Sequence, residues 1–271
     1  LKFLFFLRYL FVIFFVSFVL FLTIPKFFDY KKKEDIFKNY LSANYNVKVD
    51  KYTEINYYIF PKPKIEIKNA EIKFEEITPF FITEKLILYP KILSIYNYSA
   101  FESNKLIFKN NNINLEIKQL GNLLKNFLKQ KKNFLIKNLD VRLSEKNSQL
   151  IRLTDINFSN YGYNRNIFLG KVFNKKFQAE FKEDASFISI KVPDIDFQNI
   201  IKFEDIKKDS FRGHSKLKFL NTNFKFDFLY SAEKFEILNS YFRSKNLSLR
   251  AKSIITIRPY FSSEANLIID D

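Results

Sequence analysis

The chain has 271 residues, with 45 Lys and Arg against 29 Asp and Glu, 35 Phe, 15 Tyr, and no Cys, Met or Trp. At 47% hydrophobic and 27% charged it is too apolar for a disordered tail and too charged for a polytopic membrane protein. The absent cysteines exclude disulfide staples, thiolate nucleophiles and cysteine-based zinc sites, while one histidine and four glycines exclude His-Glu-x-x-His metal sites and glycine-rich phosphate loops.

Enrichment in Lys, Asn, Ile and Phe is what A/T-rich codons produce, so part of the charge and aromatic bias is discounted. A chain that starts at Leu1 and holds no Met is expected to be a fragment of a longer reading frame, or to carry a start codon translated literally.

Phe3 to Ile24 is almost wholly apolar, with only Arg8 charged, and Pro25-Lys26 ends it. At 1.5 Å per residue such a helix spans a hydrocarbon core of roughly 30 Å. A cleaved signal peptide would have a shorter apolar region and a small-x-small cleavage site, which Pro25-Lys26-Phe27-Phe28 is not. Residues 1–25 are therefore expected to be a retained transmembrane signal anchor, with Arg8 snorkelling to the interface. Lys2 and Arg8 lie before or within the segment, and Lys26, Lys31, Lys32, Lys33 and Lys38 follow it. Taken literally, the positive-inside rule places the bulk in the cytoplasm. Long domains, however, translocate largely regardless of charge. Without residues 1–25 the chain still has 43 basic against 29 acidic residues, so charge does not settle the side.

Residues 26–45 form a juxtamembrane element. Asp35, Ile36, Phe37, Tyr40 and Leu41 suggest a brief amphipathic helix, with Lys31–Lys33 as a basic run beside the headgroups; a solvated linker is the alternative.

From residue 46 onward the dominant period is two. Lys64-Ile65-Glu66-Ile67-Lys68, Glu71-Ile72-Lys73-Phe74-Glu75, Asn138-Leu139-Asp140-Val141-Arg142-Leu143 and Phe224-Lys225-Phe226-Asp227-Phe228 all alternate, and similar runs continue to Leu267-Ile268-Ile269. Each is a strand with one greasy and one charged face. Leu120, Leu123, Leu124, Phe127 and Leu128 instead recur at helical spacing, which predicts one helix over 119–131. The apolar parity flips between Ile67 and Ile72 and between Leu153 and Ile156. Bulges or turns are therefore expected at Asn69-Ala70 and Thr154-Asp155. A loose Lys-Asn motif at Lys68-Asn69, Lys137-Asn138 and Lys245-Asn246 reads as a set of similar strand starts. Pro61-Lys62-Pro63 can only open a strand or sit at an edge.

Amphipathic strands bury their greasy faces in a barrel, a sandwich or an open trough. These runs are mostly shorter than the 9–11 residues of membrane-barrel strands, and a helical anchor precedes them, which disfavours the barrel. The sandwich is the ordinary alternative. The trough gains weight from Phe224, Phe226 and Phe228, consecutive on one face with no glycine or small residue among them.

Asn39-Tyr40-Leu41-Ser42-Ala43-Asn44-Tyr45-Asn46-Val47-Lys48-Val49, followed by Tyr57-Tyr58-Ile59-Phe60-Pro61-Lys62-Pro63-Lys64-Ile65-Glu66-Ile67-Lys68-Asn69-Ala70-Glu71-Ile72, resembles the start of bacterial AsmA-type proteins. In these a short helix leads to a strand, a Pro-x-Pro turn and an alternating strand. Ser253-Ile254-Ile255-Thr256-Ile257-Arg258-Pro259-Tyr260-Phe261 and Ala265-Asn266-Leu267-Ile268-Ile269 resemble that family's strand–Pro–strand hairpins. The family has glycine before the Val-x-Val strand where this chain has Asn46. The resemblance implies a single-pass protein of the bacterial inner membrane, held by residues 3–24, with its bulk in the periplasm. It implies a curled, taco-like antiparallel β-sheet over 46–271, truncated at the C-terminus, whose greasy channel carries phospholipid toward the outer membrane. Chorein-type bridge-like lipid carriers have similar channels.

The fold class expected is thus mainly β: an N-terminal transmembrane helix, then a curled antiparallel sheet with one short helix. Ile65, Ile67, Ile72, Phe74, Leu139, Val141, Leu143, Phe224, Phe226, Phe228, Leu247 and Leu249 are expected to line a groove for acyl chains, each being the apolar member of an alternating pair. Nucleic-acid binding is not expected, because the basic residues alternate with acids along nearly every strand and form no stripe with stacking aromatics. Enzyme activity is not expected either, and no metal or cofactor. His214 stands in Arg212-Gly213-His214-Ser215, read as a polar turn, with no second histidine or cysteine to work with. A β-sandwich scaffold, or a factor in outer-membrane protein assembly or targeting to the membrane, is the rival function. It predicts a filled interior where lipid carriage predicts an open one.

Overall fold

A computed structural model describes residues 2–74, 77, 79–97, 101–145, 148–182, 186–206, 210–231, 234–245, 247–256 and 262–270. Glu75, Asn246 and the Ile257-Arg258-Pro259-Tyr260-Phe261 part of the expected hairpin lie outside them. The chain is mainly β and falls into two compact units, Leu1–Arg152 and Leu153–Asp271.

The N-terminal unit starts with helix α1 (Lys2–Thr23), whose side chains from Phe5 onward are exposed until its last turn. A 3-10 turn over Ile24–Phe27 buries Pro25. Helix α2 (Glu34–Tyr45) is the amphipathic alternative to a linker, burying Phe37, Tyr40, Leu41 and Tyr45 on one side. Asn46 closes it in the left-handed region (φ 53°), its N–H bonded to the Leu41 and Ser42 carbonyls. Asparagine thus makes the C-terminal turn for which glycine is the usual residue.

Strands β1 (Val47–Lys51) and β2 (Glu54–Tyr58) share one edge of β3 (Lys64–Phe74), which opens directly after Pro63. β3 pairs with β4 (Phe81–Pro90), and β4 with β5 (Ser103–Glu116), both antiparallel. β5 then pairs with β6 (Asn133–Glu145) in parallel. This corrects the all-antiparallel expectation. A parallel neighbour needs a crossover, and the chain supplies one in the predicted helix, α3 (Leu120–Leu128), entered through a 3-10 turn over Ile117–Gln119.

Register stacks the apolar residues into rows across the strands, Ile65–Leu88–Leu106–Phe134 and Ile67–Leu86–Phe108–Ile136, all of them buried. Both parity flips occur where expected. Asn69 (φ 49°) reverses the faces within β3, and Asp155 (φ 54°), beside a register shift, does so within β7 (Ser148–Ser159). Two of the three Lys-Asn pairs, Lys68-Asn69 and Lys137-Asn138, are not strand starts, while Lys245 stands just before the strand that opens at Ser248, with Asn246 outside the described residues. Asn69, Asn110 (φ 54°) and Asn138 (φ 56°) lie inside β3, β5 and β6 at one level of the sheet, because Lys68 pairs with Lys85, Lys85 with Lys109 and Lys109 with Lys137. The Asn138 amide donates to Asn110 Oδ1 (3.1 Å), and the Asn110 amide to Glu84 Oε2 (2.6 Å), so a line of side chains runs along this crease.

β7 crosses the boundary between the units. Its later part pairs with β8 (Ile167–Val172), and each following strand pairs antiparallel with the next: β9 (Lys175–Phe181), β10 (Phe187–Val192), β11 (Phe197–Ile206), β12 (Ser210–Phe219), β13 (Thr222–Ser231), β14 (Lys234–Arg243), β15 (Ser248–Thr256) and β16 (Ser262–Asp270). β8 and β9 are joined by Phe173 and Asn174, both at positive φ, as a two-residue turn between twisted strands requires. No α-helix occurs among the described residues of this unit.

Candidate functional site

The twelve groove candidates divide sharply by unit. Ile65, Ile67, Ile72, Phe74, Leu139, Val141 and Leu143, all in the N-terminal unit, are at most 4% exposed. They line a filled interior, because helices close the face they share. The Phe127 ring on α3 sits 5.5 Å from Phe74, 6.5 Å from Phe81 and 5.6 Å from Phe134. From α2, Phe37 and Tyr40 each meet Phe101 edge-on at 5.0 Å, and the Gln130 side chain donates to the Tyr45 carbonyl (2.7 Å) to tie the two helical regions. Burial raises the Tyr45 hydroxyl pKa far above its ordinary value. Alternation located these seven residues but could not reveal what lies over them.

In the C-terminal unit Phe224 and Phe226 are only half-buried. Their rings lie 4.9 Å apart, Phe226 is 6.0 Å from Phe228, and Phe242 on β14 extends the row 6.3 Å from Phe224. Phe203, Phe211, Tyr230 and Phe235, none of them anticipated, join the same surface. Phe211 stacks on Tyr230 at 4.5 Å and Phe235 on Phe228 at 5.6 Å. Phe235 was detectable from its alternation with Ile237, but Phe211 was not, because the next residues on its face are Gly213 and Ser215.

Those small residues correct the expectation that none borders the Phe ladder. Gly213 pairs with Phe228, and Phe226 lies between Ser215 and Ser240. A Cβ on Gly213 would come within 3.0 Å of the Phe228 ring and 2.3 Å of the Lys202 carbonyl oxygen. Phe228 therefore covers its neighbouring strand and becomes 4% exposed, although no α-helix occurs among the described residues of its own unit. Leu249 pairs with Phe242 and Ile269 on the same face. Leu247 departs from the prediction: it sits in the turn before β15, its carbonyl accepting the Ser244 N–H (2.9 Å), and is 42% exposed. On β14–β16 a depression of about 700 Å³ is lined by Ile237, Leu238, Ser253, Ile254 and Ala265, with Glu236 and Glu264 beside them.

The opposite faces carry the charged residues, although in the N-terminal unit Ile87 and Ile107, paired with one another, are also buried there. In the N-terminal unit register aligns Lys68, Lys85, Lys109 and Lys137 in one row, although they are scattered in sequence. Glu54 pairs with Lys68, and Glu84 with Lys85 at 3.3 Å. In the C-terminal unit His214 is mid-strand in β12 and not in a turn. Its Nδ1 faces the Asp227 carboxylate and its Nε2 lies 2.8 Å from Glu204 Oε1. These two acids raise the imidazole pKa above its ordinary value, Asp227 most. The cluster is exposed on the charged face, away from the phenylalanines. A further cleft of about 560 Å³, lined by Pro90, Ile92, Leu93, Asn97, Asn104 and the Lys91–Glu102 ion pair, lies where β4 ends.

No family model matches the chain, and no curated protein or solved structure matches it.

Proposed function

We propose that this protein is a non-enzymatic, membrane-anchored lipid carrier whose acyl-chain surface is the aromatic face of the C-terminal unit. The observation that carries this is the connected ladder on one face of β13 and β14, in which Phe224, Phe226, Phe235 and Phe242 are half-exposed around a buried Phe228. An apolar side chain of this size contributes about 1.5–3 kcal/mol when removed from water, so a row left open favours an apolar ligand or aggregates. In this reading the sheet curls into a trough around phospholipid acyl chains. Residues 3–24 hold the protein in the bacterial inner membrane, the bulk lies in the periplasm, and the activity serves phospholipid transport and outer-membrane biogenesis. The burial of Pro25 and the seating of the last turn of α1 on the N-terminal unit favour a retained anchor over a cleaved leader.

The test is lipid copurification measured by mass spectrometry. Phe226→Asp is expected to remove bound phospholipid while leaving the β-sheet circular dichroism in place, and Lys225→Glu on the opposite face to leave both lipid and circular dichroism unchanged. If the wild-type protein carries no lipid, or Phe226→Asp unfolds it, carriage is refuted. A second reading, a packed scaffold acting in outer-membrane protein assembly, is favoured by one observation: the interior of the N-terminal unit is filled by α2 and α3. Protease added to spheroplasts tests the side of the membrane, and protection of the region beyond residue 26 would overturn the periplasmic placement.

A further inference from the structure

We infer that the N-terminal unit does not hang from its anchor on a free linker but is seated in the bilayer interface, with Phe27, Phe60 and Leu93 dipping among the lipids. The inference rests on α1 crossing a membrane, part of the reading above, and is independent of lipid carriage.

The argument starts from where the unit grips the helix. The apolar segment extends from Phe5 to Phe27. The Tyr96 ring stacks on Phe21 at 4.7 Å and its hydroxyl donates to the Phe21 carbonyl, while the Tyr57 hydroxyl donates to the Leu22 carbonyl (3.3 Å). Phe21 lies six residues before the end of that segment, about 9 Å along a helix axis at 1.5 Å per residue. A soluble unit whose side chains reach that level must itself enter the headgroup region. The linkage is stiff, because Pro25 is buried, its carbonyl accepts the Tyr30 hydroxyl (2.6 Å), and Phe28 meets Tyr96 edge-on at 5.7 Å.

The surface at that end suits a lipid interface. Tyr57 leads within three residues to Phe60, 87% exposed, and Tyr96 follows Leu93, 76% exposed, by three. Phe27 itself is 81% exposed. Three large apolar side chains held in water beside a membrane helix have an obvious place to go. Exposed Lys26 and Lys62 lie within two residues of Phe27 and Phe60, and Tyr57 and Tyr96 stand at the boundary where tyrosines concentrate in membrane proteins. The partner is therefore the bilayer that α1 crosses, its apolar interface taking the aromatic and aliphatic side chains and its anionic headgroups the lysines.

Because the chain contains no Trp, a single introduced Trp reports its own depth. The full-length protein is reconstituted into phosphatidylethanolamine–phosphatidylglycerol vesicles with and without acyl-brominated lipid. Four variants are compared: Phe11→Trp in mid-helix, Phe60→Trp, Leu93→Trp, and Ile82→Trp at the opposite end of β4, roughly 26 Å away at 3.3 Å per residue. Bromine is expected to remove most of the Phe11→Trp emission and a substantial part of that from Phe60→Trp and Leu93→Trp, leaving Ile82→Trp unchanged. Quenching of Phe11→Trp alone overturns the seat and leaves the anchor standing. No quenching at Phe11→Trp overturns both. Equal quenching at Ile82→Trp and Phe60→Trp overturns the directed seat in favour of non-specific adsorption. A variant that fails to fold is replaced by the other of the Phe60 and Leu93 pair, which report the same surface independently.

Discussion

The two units begin from the same instruction, an alternating strand with one greasy face, and satisfy it differently. In the N-terminal unit β5 and β6 run parallel, and the crossover this demands lays α3 over the apolar face, where Phe127 meets Phe74, Phe81 and Phe134. In the C-terminal unit every pairing among the described strands is antiparallel. No α-helix occurs among the described residues of their connections, one of which holds a single 3-10 turn over Pro193–Ile195. The aromatic rings cover one another and the small residues beside them, and all but the buried Phe228 remain half-exposed. Whether a greasy face becomes a core or a surface is thus decided by the connection between two strands, not by the strands.

The largest expected effect tests that contrast directly. Phe127→Ala removes a ring that is 1% exposed and should destabilise the N-terminal unit by about 3–5 kcal/mol, read from denaturant unfolding. Phe226→Ala removes a half-exposed ring and should cost only about 1 kcal/mol. Equal costs at the two positions would mean that the C-terminal face is covered as thoroughly as the N-terminal one, and the comparison would collapse.

Gly213→Ala gives an intermediate effect. Its methyl group would lie 2.3 Å from a backbone carbonyl oxygen, which cannot yield, and 3.0 Å from the Phe228 ring, which can only lift away. A loss of about 1–3 kcal/mol is expected, together with increased binding of a hydrophobic dye as Phe228 is pushed out of its place. Dye binding at the wild-type level would show that the ladder does not depend on the gap left by glycine.

The smallest effect concerns the polar face of the same unit. The Asp227 carboxylate, followed by that of Glu204, holds the His214 imidazolium pKa above its ordinary value. A raised folded-state pKa stabilises fully below the unfolded pKa, and that contribution is lost as pH rises through the folded one. NMR titration should therefore place His214 above about 6.5, the ordinary value, and Asp227→Asn should move it down. Lipid binding should not follow this titration, since the histidine and the phenylalanines are on opposite faces. Parallel titration of the two would break the separation of faces.

Much of this architecture is written locally. The long apolar N-terminal helix, α2, α3, the strand runs and both parity reversals follow from hydrophobic period, because a helix and a strand expose their side chains at different intervals. Asn46 and Asn69 could be assigned to turns or bulges because asparagine tolerates the left-handed region better than other non-glycine residues. What local pattern could not supply was alignment. The lysine row at Lys68, Lys85, Lys109 and Lys137 exists only through register, although the recurring Lys-Asn pair was its trace in the chain. Gly213 under Phe228 and the pairing of Phe211 with Tyr230 likewise depend on which strands become neighbours. Above all, period two identifies a greasy face without saying what covers it. The seven buried candidates of the N-terminal unit and the half-exposed phenylalanines of the C-terminal unit look alike in sequence, since each is apolar between polar neighbours. Burial is a property of what packs opposite, and that was decided by the parallel crossover and its helix, a tertiary event that no single strand encodes.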